Sequence, residues 1–371
     1  MEKSRKSSTV WKIISLLLAC ALIVVSTQFA VHLNREKAAA ETETQETGEQ
    51  VNYLSLWNDR AVAKSELENY MKAITDESSP DFIPVEDRIA VFDLDGTLVC
   101  ETDPVYFDHC IFKYRVLDDP DYKDKASDFE KEVAAQVVEY METGKSPSTL
   151  MEDHGRAVAS AFSGMTVDEF EEYVAEFKKQ PAPGYNGMTR GEAFYKPMVE
   201  VVEFLQANDF KVYIVSGTDR FIVRGLVKDS PLNIPANQII GSDESIVAPD
   251  QGDTAGLEYV FDDDDQLVLG GDFLIKNLDM NKVTVIRQEI GQKPVLSFGN
   301  SSSDSSMAEY VTTDNKYKSL AFMLCCDDTV RENGNPEKAK KMANSCTENG
   351  WTAISMKNDW KTIYGDNVTR K

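Results

Sequence analysis

Basic residues are scarce in this chain: 39 Lys and Arg stand against 63 Asp and Glu, a formal charge of -24 over 371 residues. That imbalance excludes a nucleic-acid partner, because DNA and RNA binding rests on neutralising phosphates with Lys and Arg. The acidity reads as a solvated surface. Zinc patterns are lacking too. There is no CxxC and no Cys/His cluster, and His109 and His154 stand isolated in the sequence, so both read as structural and not catalytic. No internal repeat is present, so no repeat architecture is indicated. Five cysteines follow residue 52 (Cys100, Cys110, Cys325, Cys326, Cys346), an odd number that leaves at least one unpaired within the chain. Cys100 with Cys110 and Cys326 with Cys346 are candidate pairs, and the sequence does not choose between them.

The N-terminus differs from the rest. Lys3, Arg5, Lys6 and Lys12 precede an uncharged run from Ile13 to Val31. As a helix, that run is roughly 28 Å long, close to the hydrocarbon thickness of a bilayer. Residues 1–35 therefore read as a membrane anchor or export signal, with the basic flank in the cytoplasm and everything after residue 31 exported. An uncleaved anchor is the expectation and a cleaved signal the alternative, Ala38-Ala39-Ala40 being the candidate cleavage site. Cys20, after Leu17-Leu18-Ala19, is a weaker candidate for lipidation, because the apolar "ALIVV" follows it. Residues 36–52, rich in Glu and Thr, are an acidic linker.

Beyond the linker, strands alternate with helices. Ile89–Phe92 reads as a short buried strand; residues 104–190 read as helical, with Phe129, Val133, Val137 and Met141 on one helix face and a capping box at Thr166/Glu169. A helix from Pro197 leads into the strand "FKVYIVSG", and the helix "RFIVRGLV" precedes a β-like passage over 241–272. Further helix–strand pairs end in "PVLSFGN" and "SLAFMLCC". This alternation predicts an α/β fold: a Rossmann-like parallel sheet with helices on both faces, formed by 53–103 and 191–371, with 104–190 as an inserted helical cap. Ligands of such sheets gather at the carboxyl ends of the strands.

Polar residues stand at three of those ends. The stretch "RIAVFDLDGTLVCE" (88–101) puts Asp93 and Asp95 directly after an apolar run, where an unpaired buried carboxylate costs several kcal/mol unless a cation meets it. Ser216 and Gly217 follow "VYIV", and Asn300 and Asp304 follow "VLSF". Aspartates and an Asn/Asp pair are hard oxygen ligands suited to Mg²⁺, which binds together with phosphate oxygens. Ser216 and Gly217 offer a hydroxyl and an approachable N–H to a phosphate, and Lys282 a positive charge. The set suits phosphoryl transfer.

In order and spacing, "FDLDGTLV", "VSGT", Lys282 and "FGNSSSDSSM" resemble the four motifs of the haloacid dehalogenase-like superfamily, in its phosphoserine phosphatase-like branch with a helical cap. The resemblance runs from about residue 85 to 325. It implies an aspartyl-phosphate on Asp93, with Asp95 as acid and then base. It implies Mg²⁺ held by Asp93, the Asp95 carbonyl, and Asn300 and Asp304 in the fourth motif, where Asn300 takes a place often held by aspartate. Phosphate would be held by Thr97, Ser216, Gly217 and Lys282.

The expected activity is a Mg²⁺-dependent phosphomonoesterase acting on a small phosphorylated metabolite. Glu101 and Asp103 read first as solvated surface and second as candidate substrate-facing acids, which would favour phosphoserine, phosphoethanolamine or phosphocholine if either faces the pocket. Tyr106, Phe107, Phe112 and Tyr114 read either as pocket lining or as core. A phosphomutase or phosphotransferase of the same fold, or a catalytically idle surface-binding protein, are the alternatives.

Overall fold

The computed structural model describes residues 52–252 and 254–371, so the Ile13–Val31 run, Cys20 and the 36–51 part of the linker lie outside the described residues. Among the described residues no helix is long and apolar enough to cross a membrane.

Helix α1 (Val62–Thr75) precedes β1 (Ile89–Phe92), whose four residues are all buried, as expected for a strand with both faces covered. Four helices follow: α2 (Phe107–Lys113), α3 (Asp128–Thr143), α4 (Leu150–Phe162) and α5 (Val167–Phe177). Capping boxes open α3 (Ser127/Glu130) and α5 (Thr166/Glu169). The buried stripe of α3 departs from the predicted one. It runs through Glu130, Val133, Ala134 and Val137, leaving Phe129 40% exposed, because the carboxylate of Glu130 turns inward to accept from Ser160, Tyr122 and the Ser127 amide.

A short strand β2 (Tyr185–Asn186) and helix α6 (Lys196–Ala207) lead to β3 (Lys211–Asp219), α7 (Arg220–Val227), β4 (Ile239–Val247) and β5 (Val268–Ile275). Then come α8 (Met280–Val285), β6 (Leu296–Gly299), α9 (Ser305–Thr312) and β7 (Leu320–Cys325). The chain closes with α10 (Pro336–Asn349), β8 (Thr352–Ser355), α11 (Met356–Asp359) and β9 (Thr369–Arg370), the last pairing with β2.

The main sheet runs β5-β4-β3-β1-β6-β7-β8. All its pairings are parallel except β4 with β5. From β1 the chain builds β3, β4 and β5 to one side, then crosses to build β6, β7 and β8 on the other. The order therefore reverses at β1, and a crevice opens at its carboxyl end. Register there is held by an aromatic ladder: Phe92, Phe298 and Phe322 are cross-strand partners whose rings stack with centroids 4.2 and 4.9 Å apart. A one-residue slip would turn these rings to the opposite face, so the ladder fixes which residues leave β1 and β6 side by side.

Candidate active site

Asp93 continues β1 by one residue, its N–H donating to the Phe298 carbonyl at 2.9 Å. The chain then folds back on itself: the Leu94 carbonyl accepts from the N–H groups of Thr97, Leu98 and Val99, and Gly96 N–H donates to Val99 O. Gly96 has φ +76°, and a Cβ there would lie 1.9 Å from Asn300 Nδ2 and 2.6 Å from the Glu101 carboxyl carbon. Only glycine meets both the left-handed backbone and the close approach. Thr97, fully buried, places its hydroxyl 3.3 Å from Asp93 Oδ2 and 3.5 Å from Asn300 Oδ1.

The cation that the buried aspartates require is Lys282. It is fully buried on α8, and its Nζ donates to Asp93 Oδ1 and to Asp304 Oδ1, each at 2.6 Å. Burial lowers the affinity of this amine for its proton, but Asp304 and Asp93 more than offset that and hold its pKa above the ordinary lysine value. Asp93 itself is pushed up to about 6 by burial and by the nearby Asp304, against the pull of Lys282. Asp304 spends its other oxygen on the loop after β6, accepting from the N–H groups of Asn300 and Ser301 and from the Ser301 hydroxyl. Its carboxylate thus joins Lys282 to that loop.

Asp95 meets a different environment. Its Oδ2 accepts from the Thr218 hydroxyl at 2.7 Å, while Oδ1 is buried without a partner. Burial first, then the charges of Asp108 and Asp93, push its carboxyl well above the usual range. The Asp108 charge brings in His109 and His154, which are not isolated as the sequence suggested. Their rings stack with centroids 4.0 Å apart, and Asp108 Oδ1 lies 2.7 Å from His109 Nδ1. Helix α4 carries His154 onto α2, a contact that spacing along the chain does not reveal. Burial and His109 hold His154 well below its ordinary value, hence neutral. These three residues offer ligand atoms within 4.8 Å of one another. Imidazole lone pairs lie in the ring plane, however, so two stacked rings do not converge on one ion without one of them turning.

Oxygen donors for Mg²⁺ remain beside Asp93. The Asn300 and Glu101 side chains lie together over Gly96, and Asn300 Oδ1 lies 3.5 Å from the Thr97 hydroxyl. Asp93 Oδ2 and Asn300 Oδ1 both lie within 3.5 Å of the Thr97 hydroxyl, and with the Asp95 carbonyl they are the hard oxygen donors that would hold Mg²⁺. Asp304, also expected as a ligand, has its oxygens on Lys282 and on the N–H groups of the loop after β6.

Ser216 and Gly217 stand at the end of β3 beside β1. Ser216 Oγ accepts from the Thr218 amide, and Gly217 packs so closely on Leu278 that a Cβ would come within 2.4 Å of it. Asn277, fully buried, ties this turn down by donating to the Ser216 carbonyl. Thr218 and Asn277 were not singled out from the sequence. Thr218 was inside the quoted "VSGT", whereas Asn277 carried no motif signal.

Asp103 does not face the site: its Oδ1 accepts from Gly184 N–H, tying the start of the helical segment to its end. Glu101 and Tyr106 line a cavity of about 640 Å³ that also touches Asn300, Ser301, Lys338 and Lys341. Phe107 and Phe112 are core, and Tyr114 packs against Phe177. A larger cavity of about 950 Å³, between Thr166–Asp168 and Arg220–Arg224, contains none of the residues around Asp93. All five described cysteines are free, so neither candidate disulfide is formed. Cys100 lies against Thr102 and Glu332, and Cys110 against the Val105 carbonyl, on separate elements.

Comparison with solved structures shows this fold elsewhere. A functionally unknown protein from Anaerococcus prevotii has TM-score 0.51 at 13% identity, over 84% of this chain and 98% of that one. Cytosolic 5'-nucleotidase IIIB bound to cytidine has TM-score 0.46 at 12% identity, over 81% and 86%. A phosphoserine phosphohydrolase-like protein from Francisella tularensis has TM-score 0.37 at 15% identity, over 69% and 92%. No curated protein matches the chain. The model of the haloacid dehalogenase-like hydrolase family matches residues 90–309, a span that holds Asp93, Asp95, Ser216, Lys282, Asn300 and Asp304 together, and the chain belongs to that family.

Proposed function

We propose that the chain is a Mg²⁺-dependent phosphomonoesterase acting on a small phosphorylated metabolite through an aspartyl-phosphate on Asp93. The observation that carries this is the split between two buried carboxyls one residue apart: Asp93 pairs with Lys282, whereas Asp95, half unpartnered, is held well above the usual carboxylate range. Environments that push two acids apart assign a nucleophile and an acid. An oxygen of Asp93 attacks phosphorus, the bond from phosphorus to the alcohol oxygen breaks, and Asp95 gives its proton to that oxygen. Asp95, now ionised, takes a proton from water as the water oxygen attacks the aspartyl-phosphate. Inorganic phosphate leaves, with Asp93 ionised and Asp95 protonated again. Thr97, Ser216, the Gly217 N–H and Lys282 orient the phosphate oxygens. Bound Mg²⁺ supplies positive charge that lowers the repulsion between phosphate and carboxylate.

The preference for a cationic leaving group drew on Glu101 and Asp103. Only Glu101 lines the cavity, and Lys338 and Lys341 line it too. The leaving group is therefore proposed no more narrowly than as part of a small phosphorylated metabolite. We also propose that the enzyme is exported and anchored by residues 1–35, a reading supported by the basic flank and the apolar Ile13–Val31 run alone.

Phosphate release across a panel of phosphometabolites, with Mg²⁺ or EDTA, tests the activity. Asp93→Asn should lose turnover at least a thousandfold, about 4 kcal/mol of barrier, while still unfolding in a single cooperative transition. A variant keeping a tenth of the wild-type rate would remove Asp93 as the nucleophile.

A further inference from the structure

The 640 Å³ cavity adjoins the candidate site through Asn300. Asn300 and Glu101, packed on each other over Gly96, form part of its wall on the Asp93 side. Away from that wall it follows one face of α10, where Asn335, Lys338, Met342 and Ser345 recur at helical spacing and Lys341 lies beside them. In a chain of net charge -24, two lysines at i and i+3 facing one cavity are unusual company. Lys316 and Lys318, which precede β7, pair with Asp87 and Asp81. Among the described residues no carboxylate pairs with Lys338 or Lys341. Lys338 and Lys341 are both exposed, so an anion entering the cavity meets two ammonium groups on this face.

We propose that Lys338 and Lys341 form a subsite for a second anionic group on the substrate, a carboxylate or second phosphate carried by the alcohol part of the phosphomonoester. This rests on the phosphomonoesterase reading. It goes beyond it by reversing the expected charge of the leaving group. A cavity of this volume also accepts a leaving group larger than a two-carbon alcohol.

Matched compounds test the subsite: 3-phosphoglycerate against glycerol 3-phosphate, and glucose 1,6-bisphosphate against glucose 6-phosphate, with phosphoethanolamine as the cationic comparison. The wild-type protein should favour the more anionic member of at least one pair by roughly tenfold in kcat/KM, with the preference shrinking as salt screens it. Lys338→Gln/Lys341→Gln should bring that ratio near one, and Lys338→Arg/Lys341→Arg should restore it. Equal rates within both pairs, a ratio that survives in the Gln variant, or a preference for phosphoethanolamine would each overturn the subsite. Titration calorimetry of the same compounds against wild-type protein gives the ratio of Kd values without turnover. Selective binding without phosphate release would refute the phosphatase reading and keep the subsite; phosphate release without selectivity would do the reverse. If the Gln variant fails to fold, the salt dependence of the wild-type ratio decides the matter, and a ratio insensitive to salt refutes the subsite.

Discussion

Replacing Lys282 with methionine keeps most of the side-chain volume and removes the ammonium from between two carboxylates. Both contacts are 2.6 Å, Lys282 and the Asp304 side chain are almost completely buried, and the Asp93 side chain is 10% exposed. Breaking a buried pair by removing one partner typically costs about 3–5 kcal/mol, because a charge is left behind without compensation. Here a proton can take the place of the lost cation, which makes the cost depend on pH. Asp93 already stands at about 6 with the lysine present, above the unfolded value of 3.8, and without it the folded value rises further. An acid with a raised folded pKa contributes stability that is fully present below its unfolded pKa and is lost as pH rises through the folded one.

The variant should therefore lose about 1–2 kcal/mol at pH 5, mostly hydrogen bonding, and about 2–4 kcal/mol more at pH 8, at ~1.4 kcal/mol per unit of pH deficit. Urea unfolding at pH 5, 6.5 and 8 in EDTA, beside the wild type, measures this. Adding Asp304→Asn should recover part of the loss at pH 8, since one of the two stranded charges is gone. A loss of the same size at every pH, with no recovery in the double variant, would refute the claim that Lys282 serves chiefly to neutralise this carboxyl pair.

Glu244 is buried with neither oxygen partnered and is pushed up to about 9, burial and then Asp219 being the causes, so Glu244→Gln should be near neutral at pH 4 and stabilising by about 2–4 kcal/mol at pH 8. Unfolding midpoints at the two pH values check it. Glu332 is fully buried and accepts from the hydroxyls of Thr102, Tyr185 and Tyr364 and from the Asn333 amide. Glu332→Gln turns an amide donor toward donors and should cost about 2–3 kcal/mol in the same assay. Asp103→Ala leaves the Gly184 N–H without its partner and should lower stability by about 1–2 kcal/mol while leaving the order of substrate preference as it was. A changed preference in that variant would return Asp103 to the substrate site.

Much of the frame was readable along the chain, because it is local. Four apolar residues ending in an aspartate mark β1; the Thr166/Glu169 box marks the start of α5; the alternation of helix and strand marks the parallel sheet. The motif residues Asp93, Asp95, Lys282 and Asn300 do meet around one crevice, as strand-end chemistry suggested. Phe129 shows the limit of such reading. Its helical period was correct, but which side of α3 faced inward depended on Glu130 finding donors from other elements.

Partners distant in sequence were decided only by folding. Lys282 lies 189 residues from Asp93, and Thr218 lies 123 residues from Asp95. A sequence shows that an acid and a base exist, not that they stand 2.6 Å apart. His109 and His154 looked solitary until α4 packed across α2, Asp103 looked available until Gly184 was seen to claim it, and nothing along the chain showed that Asp304 would join Lys282 to the loop after β6. Residue type sets what a group can do; which of those capacities is left for a substrate depends on which hydrogen bonds and charges the fold has already used, and that is a property of three-dimensional distance, since electrostatic and hydrogen-bond energies fall off over a few ångströms of space whatever the separation along the chain.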